Sequence, residues 1–380
     1  MMGYHFQTEE AVLARLGRYV GIETPSGNRD QMEKLNALMT EDLAEAGASV
    51  ERVERPSGAV LKASIGEGDK QILLLGHRDT VFKMGDLAQN PYREETRDRE
   101  TVLRGPGVLD MKAGDVMIVE MMRHFKDRLP EGWKLTALLN CDEEVGSHES
   151  EDLIREEARK SVCALVTEPS IPGMCTVARK GIGAYRIEAE GISAHSGVNY
   201  EKGASAIEAL CHVISAIYGL RDLSRSITIN IGSIEAPGKN NIISAKAVCR
   251  GEVRCFDTAY MKETLKKMEA ICENEPVPGT KVKFIYTGGR PPMMQSDASR
   301  RLFEAAQASA KHHGLELKGR IHGGGSDGSY VADEGIPVLD GMGAEGDGAH
   351  TGGEYARKET LMKRLMVCCD VIESVIQGEC

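Results

Sequence analysis

The sequence predicts an α/β fold: a mixed, mostly parallel sheet sandwiched by helices, with a smaller α+β lobe inserted into the chain. Short apolar runs alternate with amphipathic segments, and each run ends where glycine, histidine or acidic residues begin. This alternation is typical of a parallel sheet covered on both faces. Between about residues 180 and 289 the pattern changes to longer alternating stretches, which indicate the inserted lobe.

Two helices are predicted at the start of the chain. Residues 9–20 and 29–47 carry apolar side chains at helical spacing, and Thr24, Ser26 and Asn28 supply capping side chains between them.

Four buried strands follow from short apolar runs, at residues 71–75, 135–139, 162–166 and 336–339. The segments 113–129 and 149–160 between them have helical periodicity. Ligands of open α/β sheets bind beyond the carboxyl ends of the strands. We therefore expect functional side chains to follow these runs.

The inserted lobe is predicted to be a ferredoxin-like strand-helix-strand-strand-helix-strand unit. Its strands are expected at residues 183–191, 226–232, 247–256 and 281–286, and its helices at 204–220 and 260–272. The chain is thus predicted to have a catalytic domain in two parts, 1–179 and 290–380, with the lobe at 180–289 between them.

Charge and composition restrict the classes of partner. The formal net charge of -11 disfavours nucleic acid and anionic membrane surfaces, and no apolar run is long enough to cross a bilayer. The N-terminal residues do not resemble a secretory signal, so a cytoplasmic location is expected. Ten cysteines are scattered through the sequence, several within apolar runs such as those around Cys163, Cys211 and Cys249, and most are predicted to be core thiols.

Five polar clusters lie where strands or glycine-rich loops end: His77 with Asp79, Asp110, Asp142–Glu144, Glu168, and His350. Simpler interpretations exist for single clusters, since Asp110 could cap a helix and His77 could lie in a polar turn. Three consecutive acids at the end of a buried strand, however, repel one another unless a cation compensates them. A divalent metal would do so.

The order of the motifs resembles the family of acetylornithine deacetylase, succinyl-diaminopimelate desuccinylase and carboxypeptidase G, which are co-catalytic zinc hydrolases. The resemblance extends over nearly the whole chain through GHRDT, GPGVLDMKAG, DEEVGS, TEPS, ISAHSG, GGRPP, GGGSDGSY and GAHTGGEYA. It implies a zinc aminopeptidase-like or carboxypeptidase-like catalytic domain, and a role for the inserted lobe as a lid and dimerisation domain.

The resemblance also implies two Zn²⁺ ions per chain, with Co²⁺ or Mn²⁺ as alternatives. The implied ligands are Asp110 as the bridge, His77 and Glu168 at one metal, and Glu144 and His350 at the other. Histidine nitrogen and carboxylate oxygen are suitable ligands for zinc, and three protein ligands per metal leave a position for a shared water.

Further roles are implied for the residues beside these ligands. Glu143 would be the general base that takes a proton from the attacking water, and Asp79 would orient the imidazole of His77. The peptide bond after Asp110 is expected to be cis. Ala113 and Ser244 depart from the residues usual in the family, which leaves the shape of the substrate pocket open.

The implied substrate is a small molecule with a free carboxylate, held by Arg290, Asn241, Gly324, Gly325 and, with weaker support, Arg254. Arginine binds a carboxylate through two parallel hydrogen bonds. His195 matches a histidine that reaches the active site of the other subunit and stabilises the oxyanion, so a homodimer formed through the lobe is expected.

Several functions remain open on the sequence. A glutamate carboxypeptidase competes with an N-acyl amino acid deacylase of the same family. A serine hydrolase is a third hypothesis, because Gly324–Gly328 fits a nucleophile elbow around Ser326, followed by Asp340 and His350. A non-catalytic binding protein with the same fold is the fourth.

Overall fold

The computed structural model of the protein describes residues 3–380, and the chain divides into two compact units. The first unit consists of the described chain up to Ala178 together with Met294–His322 and Ser326–Cys380, and the second of Arg179–Met293 with Gly323–Gly325. Each unit has its own cluster of buried apolar side chains, as expected for a separately packed core.

Over the described residues the chain forms ten α-helices: α1 (Glu9–Val20), α2 (Arg29–Glu45), α3 (Asp86–Gln89), α4 (Ala113–Phe125), α5 (Glu151–Arg159), α6 (Ala206–Tyr218), α7 (Thr258–Glu273), α8 (Asp297–His312), α9 (Gly328–Asp333) and α10 (Lys358–Gln377). The strands are β1 (Ser49–Val53), β2 (Val60–Ile65), β3 (Lys70–His77), β4 (Arg93–Arg97), β5 (Glu100–Arg104), β6 (Trp133–Asn140), β7 (Ser161–Val166), β8 (Met174–Arg179), β9 (Gly181–Glu190), β10 (Thr228–Glu235), β11 (Lys246–Cys255), β12 (Lys281–Arg290), β13 (Lys318–His322), β14 (Val338–Leu339), β15 (Gly346–Asp347) and β16 (Tyr355–Arg357).

The central sheet of the first unit confirms the predicted fold class. Its six strands have the order β1-β2-β6-β3-β7-β14, and β6, β3, β7 and β14 run parallel to one another. These four strands are the apolar runs of the sequence, and their central residues are buried. Functional residues that follow them therefore meet at one edge of the sheet.

Two antiparallel strands at one side of this sheet, β1 and β2, were not predicted from the sequence. They pair with each other and, through β2, with β6. β1 is mostly exposed and polar, so it lacks the apolar run by which the other strands were recognised. The first unit contains a further antiparallel sheet, β15-β16-β5-β4, which carries the loop between β15 and β16.

The second unit contains one four-stranded antiparallel sheet and two long helices. Along the chain its elements follow the order β9, α6, β10, β11, α7 and β12, and its sheet has the order β10-β11-β9-β12. This is the strand and helix order expected for residues 180–289. Alternating burial along β9 shows one face of the sheet packed against the unit's core.

The cysteines are free thiols, and eight of the ten are buried. Cys211 is an exception to the prediction, because it lies on the exposed face of α6 and not in a core. Among the described residues, no helix has both the length and the apolar character required to cross a membrane.

His124 on α4 connects the N-terminal segment to the core of the first unit. The backbone N–H of His5 donates a hydrogen bond to Nδ1 of His124 at 3.1 Å, and Nε2 lies 3.5 Å from a carboxylate oxygen of Glu373. Nδ1 can accept this bond only while it carries no proton. Burial, and then the charges of Arg128 and His5, lower the pKa of His124 to about 4, although Asp370 opposes this shift.

We expect the folded protein to lose stability as the pH falls from about 6.5 to about 4, because unfolded His124 takes up a proton that the folded state excludes. The separation of the two pKa values limits this contribution to about 3 kcal/mol. Urea unfolding at pH 7 and pH 5 should show a smaller pH dependence for His124→Gln than for the unaltered protein. An NMR titration that gave His124 a pKa above 6 would contradict the prediction.

Candidate metal centre

Three neighbouring parallel strands deliver acidic and histidine side chains to one edge of the central sheet. His77 is the last residue of β3, the acids from Asp142 onward follow β6, and Glu168 follows β7. The register pairs His77 with Asn140 and Leu75 with Val166, so these strands end close together. Residues that are 91 positions apart along the chain thereby become neighbours.

Asp110 lies at the centre of this group. One carboxylate oxygen is 3.1 Å from Nε2 of His77, and the other is 3.2 Å from Nε2 of His350. Asp110 is buried within an irregular helical turn, Val108–Lys112, and its peptide bond to Met111 is cis, as the resemblance implied. The carboxylate thus faces one histidine on each side.

Two further carboxylates complete the two sides. Nε2 of His77 lies 3.6 Å from Glu168, and Nε2 of His350 lies 3.3 Å from Glu144. His350 reaches this position from the loop between β15 and β16, where it has a left-handed backbone conformation with φ of 66°. The structure therefore brings the five predicted metal ligands together.

Glu143 lies on the same side as His77 and Glu168. One ligand atom from each of these three residues lies within 4.8 Å of the other two, and the same holds for His77, Asp110 and Glu144. Glu143 and Glu144 belong to a single turn of helix after β6, so two adjacent acids reach different parts of the group.

The protonation equilibria show strong mutual attraction within the group. Hydrogen bonds that His350 donates to Asp110 and Glu144 raise the pKa of His350 to about 10. Burial by itself would raise the pKa of Asp110, but the hydrogen bonds it accepts from His350 and His77 hold that pKa below its usual range. Burial raises the pKa of Glu144 to about 6. The imidazoles therefore stabilise the ionised form of Asp110, whereas burial disfavours the ionised form of Glu144.

The donor set fits divalent cations. It consists of imidazole nitrogens and carboxylate oxygens, which suit zinc, and Asp110 offers one oxygen to each side. Oε1 of Glu144 is buried and has no hydrogen-bond partner among the described residues. A buried carboxylate oxygen without a partner is costly, and a metal ligand bond would satisfy it.

Asp79 holds the backbone of Glu143 and Glu144 as well as lying beside His77. Its carboxylate accepts hydrogen bonds from the N–H groups of Glu143 and Glu144 at 3.1 and 3.2 Å, and from the hydroxyl of Ser26 at 2.7 Å. Nδ1 of His77 is closer to the main-chain oxygen of Asp79, at 3.0 Å, than to its carboxylate, at 3.5 Å. Both groups can fix the ring of His77.

Asp142, the first of the three consecutive acids, supports the next segment. Its carboxylate accepts hydrogen bonds from the backbone N–H of Glu149 and from the hydroxyl of Ser150. The side chain therefore stabilises the start of α5, and only Glu143 and Glu144 join the group around Asp110.

Glu354 is a buried residue of the centre that the sequence analysis missed. Its carboxylate accepts hydrogen bonds from the N–H groups of Gly107, Leu109 and Asp110, at 2.8 to 3.0 Å. Burial raises the pKa of Glu354 to about 7 against the effect of these bonds. The residue lies within the motif GAHTGGEYA, but only the folded chain shows which turn it holds.

The second unit contains His195, predicted to stabilise the oxyanion, and the predicted substrate-binding residues Asn241, Arg254, Arg290, Gly324 and Gly325. Arg290 is buried, and a side chain at Gly325 would meet its Cδ at 2.9 Å. Arg254 pairs with Glu252 and donates to the carbonyl of Gly323. Arg254 is thus engaged in an ion pair, which was the simpler alternative for this residue.

His195 and Asn241 are brought together by backbone pairing in an exposed part of the second unit. His195 pairs with Ile242, and the N–H of Ser196 donates to the carbonyl of Asn241 at 3.0 Å. Nδ1 of His195 accepts a hydrogen bond from the N–H of Gly197 at 3.2 Å.

The serine hydrolase hypothesis is not supported by the geometry. Ser326 is fully buried, and its hydroxyl accepts a hydrogen bond from the N–H of Gly328. In that hypothesis His350 would be the base that activates Ser326, but its Nε2 faces Asp110 and Glu144. Ser326 therefore lies buried just before α9 and is not presented on a nucleophile elbow.

An α/β sheet that gathers histidines and carboxylates around one shared aspartate is the arrangement of a metal-dependent hydrolase. Residues 73–374 match the sequence profile of peptidase family M20/M25/M40, and the chain belongs to this family. It is therefore an enzyme of the metallopeptidase class.

The chain is 29% identical to carboxypeptidase G2 of Pseudomonas sp. (strain RS-16), over 98% of this chain and 91% of that protein. Its fold is similar to the crystal structure of aminopeptidase PepT from Bacillus cereus, with a TM-score of 0.79 and 22% identity over 97% and 99% of the two chains. It is also similar to the Bacillus subtilis YXEP protein, described as a dinuclear metal-binding peptidase, with a TM-score of 0.69 and 16% identity over 97% and 99%.

We expect Glu354→Gln to weaken the binding of added Zn²⁺ and to lower the free energy of unfolding by about 1–3 kcal/mol, because an amide cannot accept all three N–H groups and leaves a buried donor unpaired. Competition with a chromogenic chelator and urea unfolding measure the two effects. Glu345→Gln is the control, since Glu345 is equally buried but pairs with Arg357. Equal zinc affinity in both variants would contradict the prediction.

Proposed function

We propose that the protein is a metal-dependent amidohydrolase of the glutamate carboxypeptidase type, which cleaves an amide or peptide bond next to a free carboxylate. The main support is the position of Asp110 between two histidines, with Glu143 beside the group. The 29% identity to carboxypeptidase G2 over nearly the whole chain supports the carboxypeptidase type. An N-acyl amino acid deacylase of the same family is the alternative.

Two divalent cations are proposed to bind at this centre, zinc first, with cobalt or manganese as alternatives. His77, Asp110 and Glu168 would hold one cation, and Asp110, Glu144 and His350 the other. When bound, the two cations would polarise the scissile carbonyl and favour ionisation of water.

Glu143 is the proposed general base. It takes a proton from the attacking water, whose oxygen bonds to the carbonyl carbon, and it then gives the proton to the leaving amine as the C–N bond breaks. Its N–H is held by Asp79, so the main chain carrying the base is fixed. No covalent intermediate with the protein is required.

Recognition of the substrate carboxylate is proposed to depend on residues of the second unit. Arg290 is the principal candidate, because its planar guanidinium binds a carboxylate through two hydrogen bonds. Asn241, Gly324 and Gly325 are proposed to assist it, and Arg254 has the weakest support because it already pairs with Glu252.

A homodimer formed through the second unit, acting as a lid and dimerisation domain, is also proposed. In this arrangement His195 stabilises the oxyanion in the other subunit's site, a contribution of roughly 3 kcal/mol in other enzymes. His195 is exposed on its own chain, as this role requires. We propose that the enzyme acts in the cytoplasm on a small carboxylate-bearing substrate.

We expect Glu143→Gln to lower kcat by about 10²- to 10⁴-fold, because glutamine cannot accept the proton. Release of amino acid from N-acyl amino acids and dipeptides, including N-acyl glutamates, measures the activity and separates a carboxypeptidase from a deacylase. Elemental analysis should still find two metal ions per chain in the variant.

Two controls accompany this test. Glu156→Gln removes the charge of an exposed glutamate that pairs with Lys160, and it should leave the activity unchanged. A chelator should abolish the activity of the unaltered enzyme, and added Zn²⁺ or Co²⁺ should restore it. Hydrolysis that survived complete metal removal would refute the proposal.

The proposed role of His195 in the other subunit predicts complementation between two inactive variants. In a purified heterodimer of His195→Ala with Glu143→Gln chains, one of the two sites contains both functional residues, so about half of the native activity should return. Each variant homodimer is the control. If His195 acts within its own chain, no activity returns.

A further inference from the structure

Asp327 is a buried carboxylate that is not among the proposed metal ligands or substrate-binding residues. It lies at the start of α9 and is 4% exposed. One of its oxygens accepts a hydrogen bond from the side-chain amide of Asn140, and the other accepts one from the hydroxyl of Ser147, both at 2.5 Å. Both partners belong to the segment that carries Glu143 and Glu144.

The two partners lie on either side of the acidic turn, which we define as residues 141–147. Asn140 is the last residue of β6 and immediately precedes the turn, while Ser147 ends it. A single carboxylate therefore holds the segment at both ends. From the same helix, the hydroxyl of Tyr330 donates a hydrogen bond to the carbonyl of Gly146 at 3.0 Å.

Backbone hydrogen bonds within the turn, such as that from the N–H of Ser147 to the carbonyl of Asp142, and contacts from outside it both determine its direction. Gly146 and Ser147 both have left-handed backbone conformations, with φ of 103° and 55°, so the chain reverses sharply after the two glutamates. Asp79 binds the N–H groups of Glu143 and Glu144 from one side. The contacts of Asp327 fix the two ends, and charge-assisted hydrogen bonds in a buried setting are strong.

We propose that Asp327 is a positioning residue that fixes the acidic turn and thereby directs Glu143 and Glu144. This inference rests on the proposed function, in which Glu143 moves a proton and Glu144 holds a cation. Proton transfer requires the base within hydrogen-bond distance of the attacking water, and small displacements lower the rate steeply. Asp327 acts only through the turn.

Asp327→Asn tests the proposal with little change of shape. The neutral amide keeps only one acceptor oxygen, so both ends of the turn lose a charged partner and one end also loses its acceptor. At saturating zinc we expect kcat to fall about 10- to 100-fold, while KM changes by less than about threefold, because the substrate is bound by other residues. The metal content should remain two per chain.

Ser329→Ala is the matched control. Ser329 lies on the same helix, is fully buried, and its hydroxyl has no hydrogen-bond partner among the described residues. Its removal should leave kcat unchanged. Ser147→Ala removes one contact of Asp327 from the other side, and it keeps the test valid should Asp327→Asn fail to fold. In the double variant Asp327→Asn/Ser147→Ala, the losses should be less than additive.

Hydrogen–deuterium exchange supplies a measurement that does not depend on activity. Peptides covering residues 141–147 should exchange faster in Asp327→Asn and Ser147→Ala than in the unaltered protein, and at the unaltered rate in Ser329→Ala. Unchanged exchange in the first two variants would overturn the positioning role whatever the substrate proves to be. If the unaltered enzyme hydrolyses the amides tested, two kinetic results would also overturn the positioning role. One is an unaltered kcat in Asp327→Asn and Ser147→Ala, and the other is a loss of kcat in Ser329→Ala as large as in those two variants. If the unaltered enzyme hydrolyses none of them, the proposed function fails while the exchange result still decides the role of Asp327.

Discussion

The carboxylate of Asp110, with one oxygen toward His77 and the other toward His350, is the interaction on which the rest of the centre depends. A buried carboxylate shared by two imidazoles must point in one direction, since a rotation would deprive one side of its partner. Glu354 supplies that constraint by accepting hydrogen bonds from three N–H groups of the Gly107–Asp110 segment, including that of Asp110 itself. The geometry is therefore fixed through the backbone as well as through side chains.

The acidic turn after β6 shows how neighbouring residues of the same type acquire different tasks. Asp142 stabilises the start of α5, while Glu143 and Glu144 face the group around Asp110. Buried aspartates hold the turn from two directions, Asp79 through N–H groups and Asp327 through the flanking side chains. Such support limits the movement of the two glutamates, as their proposed roles in proton transfer and metal binding would require.

The two compact units contain different chemistry. The first unit contains the histidines and carboxylates around Asp110. Because the chain belongs to peptidase family M20/M25/M40, a metal centre is expected in this unit. The second unit contains Arg290, packed closely against Gly325, and the exposed His195. An arginine suits an anionic group, and in the proposed function this unit supplies the recognition of the substrate carboxylate.

The α/β class and the four apolar strands can be predicted from the local sequence, because a buried strand leaves a short apolar run and the polar residues after it mark its end. The roles of the five proposed ligands came from the resemblance to a family. The folded chain was needed to show that Asp142 binds the start of α5, that Ser326 is buried, and that Glu354 binds a turn 244 to 247 positions earlier in the chain. These features depend on contacts between distant segments. Local spacing carries no record of such contacts, since they form only when the whole sheet is assembled.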